Sequence, residues 1–285
     1  MRRGRPSFTA AAVAAARGLA GVDPLAPALV DGPLGWVVRA GRAGMVPAWA
    51  LNLASAGLLD HIEMRTRAID AALRDGVAAG ATQLVILGAG LDARAWRLPV
   101  LSGVRVFEVD HPSTQTYKRA RIGSRAPLAL EVRFVPVDFQ RDALAGALAA
   151  ARHDPDAPTF WIWEGVTPYL SREATRATLG AVGARSAPGS RLAVTYGTPE
   201  ATPLGPLAAR AALVGFGVVG EPILGLLSPE AMRGELAAVG LRVLDDASAR
   251  DWAERHGGGA RRLMLVDEHL AVAVSDAPPR ASRAA

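Results

Sequence analysis

The sequence predicts an α/β protein built on a doubly wound, mostly parallel seven-stranded sheet with an N-terminal helical cap. Two observations carry that expectation. The stretch Gln83–Pro99, QLVILGAGLDARAWRLP, joins an apolar, β-branched run to two glycines and a helix-compatible segment that Pro99 stops. That is the pattern of a buried strand, a tight turn and a helix opening. Beyond it, short apolar runs alternate with helical patterns, which argues for crossover connections and parallel pairing.

Residues 1–80 read as the cap. Helical pieces starting at Ser7 or Thr9 are broken at Asp23-Pro24, Asp31-Gly32-Pro33 and Val46-Pro47. In the last piece Ile62, Thr66, Ile69, Leu73 and Val77 recur at helical spacing, and Gly80 suits its C-terminal cap. Arg65 and Arg67 flank that stripe and belong near the seam between cap and sheet. Residues 81–275 read as the sheet domain. Strands are expected at Leu84–Leu87, Val104–Val109, Val132–Val137, Phe160–Trp163, Arg191–Tyr196, Leu241–Leu244 and Leu270–Val274. Helices are expected at Leu91–Arg97, Ser113–Ile122, Arg141–Ala151, Arg172–Ala184, Pro229–Val239 and Ala249–Arg255. The Pro- and Gly-rich stretch Pro199–Leu227 breaks the rhythm and reads as a substrate-facing insertion over 197–228. Residues 276–285 read as a disordered tail.

Composition narrows the function classes. Of 285 residues, 50% are hydrophobic, enough for a real core. The formal charge of +5 is carried by scattered arginines, with Lys118 the single lysine. No basic patch interleaved with aromatics appears, so a nucleic-acid partner is not expected. Zero cysteines exclude disulfides, thiolate ligands and cysteine nucleophiles, and favour a cytoplasmic location. Arg2-Arg3 before TAAAVAAA resembles an export signal, but Arg17 interrupts the run and the helical pattern continues past it. No stretch reaches the ~18 apolar residues of a membrane span, so no membrane partner is expected. No histidine pair has metal-ligand spacing and no G-x-S-x-G is present, so neither a metal site nor serine catalysis is expected.

Ligands of open parallel sheets bind beyond the carboxyl ends of the strands. Those ends carry Gly88-Ala89-Gly90, Glu108 and Asp110, Asp138, Glu164 and Tyr196. Glu108 and Asp110 lie twenty residues beyond the two glycines, where a carboxylate can accept from ribose hydroxyls. Any one acid could simply cap a helix; as a set they suit a polar, cationic ligand. The loop GAGLDA satisfies a dinucleotide fingerprint, so a nicotinamide-dependent oxidoreductase is an alternative. Asp92, however, occupies the turn where a pyrophosphate would sit, and Tyr117-Lys118 are adjacent rather than spaced as in short-chain dehydrogenases. S-adenosyl-L-methionine, with a sulfonium and no phosphate, fits better.

The blocks MRTRAID, QLVILGAGLDARAWRL, FEVDHPSTQTYK, FVPVDF and WEGVTPYL, in this order and spacing, resemble the leucine carboxyl methyltransferase family, and within it the bacterial branch that includes O-methyltransferases of natural-product pathways. The resemblance implies a class I methyltransferase fold that binds S-adenosyl-L-methionine and releases S-adenosyl-L-homocysteine. It implies that Arg65 holds the methionine carboxylate, with Arg17 a further basic cap position. Gly88, Ala89 and Gly90 would hug the methionine and ribose, and Asp110, with Glu108 near, would bind the ribose hydroxyls. Asp138 and Phe139 would bracket the adenine, and Glu164 would approach the methionine ammonium. The chain departs from the family at Thr167-Pro168, which lie where larger apolar residues are usual.

The expected reaction is O-methylation of a carboxylate on a small molecule or peptide. A carboxylate is already ionised at pH 7, whereas the alternative, a phenol of a polyketide, would benefit from a base. His111 is the base candidate, with fixing the turn after the second strand as its other role. Tyr169 and Tyr196 are candidates to orient a substrate oxygen. A fold relative that binds the cofactor without methylating, such as a cyclase, is a further alternative.

Overall fold

A computed structural model describes residues 8–139, 141–198, 224–257 and 268–276. The cap comprises α1 (Phe8–Leu19), α2 (Ala26–Leu29), α3 (Gly32–Arg42), α4 (Ala48–Ala54) and the long α5 (Leu58–Ala78). The sheet domain follows as β1 (Gln83–Leu87), α6 (Arg94–Arg97), β2 (Arg105–Asp110), α7 (Pro112–Ile122), β3 (Glu131–Pro136), α8 (Leu144–Ala150), β4 (Thr159–Trp163), α9 (Arg172–Ala184), β5 (Arg191–Gly197), α10 (Pro229–Ala237), β6 (Leu241–Ser248), α11 (Ala249–His256) and β7 (Glu268–Ser275). The seven strands run in the order β3-β2-β1-β4-β5-β7-β6. The first five are mutually parallel, and β7 is antiparallel to both β5 and β6. The sheet therefore has the expected class and strand number.

Because both faces are covered, the central strands are apolar on both sides. Leu84 and Ile86 of β1 pack with Met64, Ile69 and Leu73 of α5 and with Trp252 of α11. Val85 and Leu87, on the opposite face, join Trp161, Trp163, Leu179, Met232 and Leu236. Helix α5 lies close on β4: a Cβ added at Gly76 would stand 2.2 Å from the Phe160 ring. Ala14, Leu29 and Val38 of the cap pack with Leu91, Ala93, Tyr117 and Ile122, which seats the cap over the strand ends.

The differences from expectation have local causes. The helix after the glycine loop is only α6, because the Asp92 carboxylate accepts from the Arg94 amide at 2.7 Å and holds Asp92-Ala93 in a turn. Helix α8 starts at Leu144 because the amides of Arg141 and Asp142 both donate to the Asp138 carbonyl. Strands β6 and β7 are longer than expected, since Ser248 pairs with His269 across their shared edge. Arg67 is solvent-facing and bonded to Glu63 on its own helix, whereas Arg65 is buried. Most of the expected insertion (199–223) and tail (277–285) lies outside the described residues. Among the described residues no helix is long and apolar enough to cross a membrane, and no group of three metal-ligating side chains occurs.

Candidate functional site

The strand order reverses between β1 and β4, the place where an open sheet leaves a crevice at its carboxyl edge. Beyond β1 the chain turns through Gly88 (φ +66°) and Gly90 (φ +51°), a conformation that disfavours side chains. A Cβ on Gly88 would also stand 2.5 Å from Val166 Cγ2. The turn is stitched to β2: the Ala89 amide donates to the Val109 carbonyl at 3.0 Å, and the Gly90 amide donates to the Asp110 carboxylate at 2.5 Å. The other Asp110 oxygen accepts from the His111 amide at 2.6 Å. Burial pushes the Asp110 pKa up against these bonds. The Thr114 side chain also hydrogen-bonds this carboxylate, so three donors hold it in place at the end of β2.

Glu164 follows β4 and is the centre of the site. It accepts from Arg17 Nη2 at 2.6 Å, Arg65 Nε at 3.0 Å and Arg94 Nη1 at 3.0 Å. Burial would raise its pKa, but the guanidiniums of Arg17, Arg94 and Arg65 override that and hold it well below the ordinary carboxylate range. Arg94, fully buried, also pairs with Asp92 and, at 2.7 Å, with Asp70. Arg97 donates to both Asp70 oxygens, at 2.6 and 3.0 Å. On the far side, Arg65 Nη1 lies 3.1 Å from each oxygen of Glu268, which also sits 2.6 Å from His61 Nε2. Four arginines thus face four carboxylates, Asp70, Asp92, Glu164 and Glu268, at the sheet edge beneath the cap. Buried charges are tolerated only when paired in this way.

Of the residues named from sequence, Arg17, Arg65, Gly88, Ala89, Gly90, Asp110 and Glu164 are brought together here. Asp138 lies in the turn after β3, its amide donating to Asp142 at 2.8 Å; beside it Phe139 packs on the core. The Val137 amide bonds the Asp110 carbonyl at 2.9 Å, so this turn adjoins the β2 end. Glu108 is not brought to the rim: it is buried against Lys118 Nζ at 2.6 Å, and burial pushes its pKa to about 7 despite that partner. His111 caps α7, its Nδ1 accepting from the Ser113 amide at 3.2 Å. Tyr169 ends a short 3₁₀ turn (Thr167–Tyr169) beyond β4. Tyr196 is buried, with its hydroxyl 2.8 Å from both Asp246 oxygens. The two tyrosines therefore occupy different surroundings.

Sequence reasoning missed Asp70, Arg94, Arg97, His61 and Glu268. Arg94 and Arg97 stood in the glycine-loop block, in the segment expected as the helix Leu91–Arg97, and were given no role there. Glu268 lay two residues before the expected start of its strand. Asp70 had a legible signal, since it shares a helix with Arg65 and the buried residues Ile69 and Leu73.

Comparisons with known proteins give the family and the fold. The profile described as leucine carboxyl methyltransferase matches residues 8–183. A protein of Frankia alni, by name a candidate S-adenosyl-L-methionine-dependent methyltransferase, is 46% identical over 138 residues, 48% of each chain. A similarly named protein of Mycolicibacterium paratuberculosis is 39% identical over 218 residues, 71% of this chain and 67% of that one. The alignment with the Frankia relative spans about half its length. Among solved structures, a DUF574 family protein from Streptomyces avermitilis shares the fold at a TM-score of 0.64 and 16% identity, covering 95% of this chain and 98% of that one. A candidate methyltransferase from Thermobifida fusca does so at 0.61 and 18%, covering 96% of each. With the profile covering more than half of the sequence, and the glycine turn and its acidic and basic partners falling within the matched region, the chain belongs to the leucine carboxyl methyltransferase family.

Proposed function

We propose that the protein binds S-adenosyl-L-methionine at the β1–β4 crevice and transfers its methyl group to an oxygen, with a carboxylate of a small molecule or peptide as acceptor. The observation that carries this reading is the Arg17–Arg65–Glu164 cluster set beside the glycine turn. It offers both signs of charge to a zwitterionic amino-acid end, next to a loop whose bare backbone a ligand can approach. The residues present fit the group: the Asp110 carboxylate stands at the end of β2 against the glycine turn, and Arg17, Arg65 and Glu164 supply both signs of charge beside it.

Arg65, with Arg17 beside it, would take the methionine carboxylate, and Glu164 would face the ammonium. Asp110 would accept from the ribose hydroxyls, and Asp138 with Phe139 would border the adenine. When bound, the cofactor supplies an electrophilic methyl on a positively charged sulfur. The protein's part is to align that methyl with the acceptor oxygen and to exclude water while opposite charges neutralise. A carboxylate acceptor needs no base, which suits a His111 whose ring caps a helix.

Calorimetry with S-adenosyl-L-methionine, followed by methyl transfer to panels of carboxylates and phenols, tests the proposal. Saturable binding and ester formation are expected, with a rate that is flat between about pH 6 and 9 for an acceptor already ionised. Binding without methylated product on either panel would refute transfer, and product only from phenols would refute the carboxylate.

A further inference from the structure

Arg65 and His61 are four residues apart on α5 and so share one helix face. That face meets the start of β7, where Glu268, Leu270 and Val272 alternate toward the helix. A carboxylate in this position is costly to bury. A well-packed apolar side chain would serve stability as well, since buried ion pairs are weak stabilisers relative to apolar replacements. What the pair supplies is orientation.

Arg65 is held through two different nitrogens by two different carboxylates. Nε donates to Glu164 at 3.0 Å, and Nη1 lies 3.1 Å from both oxygens of Glu268. One anchor leaves a planar guanidinium free to swing, whereas two on separate nitrogens fix its plane and its rotation. The remaining corner, Nη2, has no bond to the described residues and lies 3.6 Å from where a Cβ on Gly165 would stand. Gly165 (φ +66°) follows Glu164 directly, so the guanidinium lies against the turn that leaves β4. Glu268 is itself held: His61 Nε2 is 2.6 Å from its Oε2, and the His61 and Trp252 rings pack in a T-shaped pair at a centroid distance of 5.8 Å. Burial would raise the Glu268 pKa, yet Arg65 and the His61 hydrogen bond draw it down to about 2, so it is ionised in any neutral buffer.

We propose that Glu268, braced by His61, is a positioning residue that fixes the Arg65 guanidinium for the carboxylate of the cofactor. The inference rests on the cofactor reading above. Its test uses two ligands measured by calorimetry, S-adenosyl-L-methionine and its decarboxylated form, which keeps the ammonium and sulfonium but has no carboxylate. Glu268→Gln should weaken binding of the first about tenfold or more and leave the second within about twofold. His61→Phe, a milder change that removes the brace, should show the same selectivity at about threefold and covers the case of a Glu268 variant that does not fold. Equal losses for both ligands, or no loss for either, would overturn the positioning role. Arg65→Ala separates the two layers. If it binds both ligands as wild type does, the cofactor reading of Arg65 fails. If it loses only the carboxylate-bearing ligand while Glu268→Gln loses neither, the inference about Glu268 alone fails.

Discussion

Replacing Glu164 by Gln keeps the shape of the side chain and removes one negative charge from the middle of three guanidiniums. The arginines approach it at 2.6, 3.0 and 3.0 Å, and none of the four side chains is more than a tenth exposed. An amide oxygen at the Oε1 position can still accept from Arg17 and Arg65, but the NH2 then faces the Arg94 donor, and the cluster of four arginines and four carboxylates is left with a surplus positive charge. Removing one partner of a buried pair costs about 3–5 kcal/mol, most of it the penalty on the charge left behind. The folded protein holds the Glu164 carboxyl well below its ordinary pKa. Its stabilisation is therefore complete above the unfolded value near ~4.3 and is lost as pH falls through the depressed folded value. Urea denaturation at pH 7 should show a loss of about 3–5 kcal/mol in Glu164→Gln. The gap between variant and wild type should stay constant from pH 6 to 8 and narrow below about pH 4. A difference under about 1 kcal/mol at pH 7, or one that widens on acidification, would refute the account of the cluster as a set of mutually dependent buried charges.

Further outcomes follow from the same geometry. Gly76→Ala would drive a methyl into the Phe160 ring and should cost about 1–3 kcal/mol by denaturation; an unchanged midpoint would contradict the close packing of α5 on β4. Gly88→Ala combines a positive φ with a 2.5 Å approach to Val166, and should lose at least about 1–2 kcal/mol of stability together with cofactor affinity; wild-type calorimetry would contradict the role of the turn. Arg65→Ala and Asp110→Ala should each weaken S-adenosyl-L-methionine binding by about 1–3 kcal/mol, and wild-type affinity in either variant would remove that residue from the site. Lys118→Met leaves Glu108, already raised to about 7, without its cation. A raised carboxyl favours the fold while protonated, and in wild type it ionises only near pH 7 against Lys118, so the variant's deficit against wild type should grow as pH rises through about 7, and this pH dependence should vanish when Glu108→Gln is added.

The fold was legible in the sequence because its signals are local and repeat. Strand β1 reads as QLVIL before two glycines, and each later parallel strand is a short apolar run. The rim residues of β1, β2 and β4 were legible for the same reason, since a strand end names its own last residue. What escaped were side chains whose role depends on tertiary pairing. Arg94 carries no sign that it is fully buried between Asp70, Asp92 and Glu164, because charged residues after a glycine loop look like any solvated helix start. Glu268 meets Arg65 across 203 positions of chain, a separation no periodicity reports. Glu108 shows the converse: its spacing from Gly88 fits a ribose acceptor, yet a partner ten residues on, Lys118, turns it into an interior ion pair.

The position of β7 has a consequence for the order in which the protein becomes competent. This strand slots between β5 and β6, yet the ribosome delivers it after both. A nascent chain that already owns the glycine turn, Asp110 and Glu164 still leaves one edge of Arg65 untethered until Glu268 arrives. The second tether on Arg65 thus waits for a strand made after the other six, and shorter nascent fragments lack it.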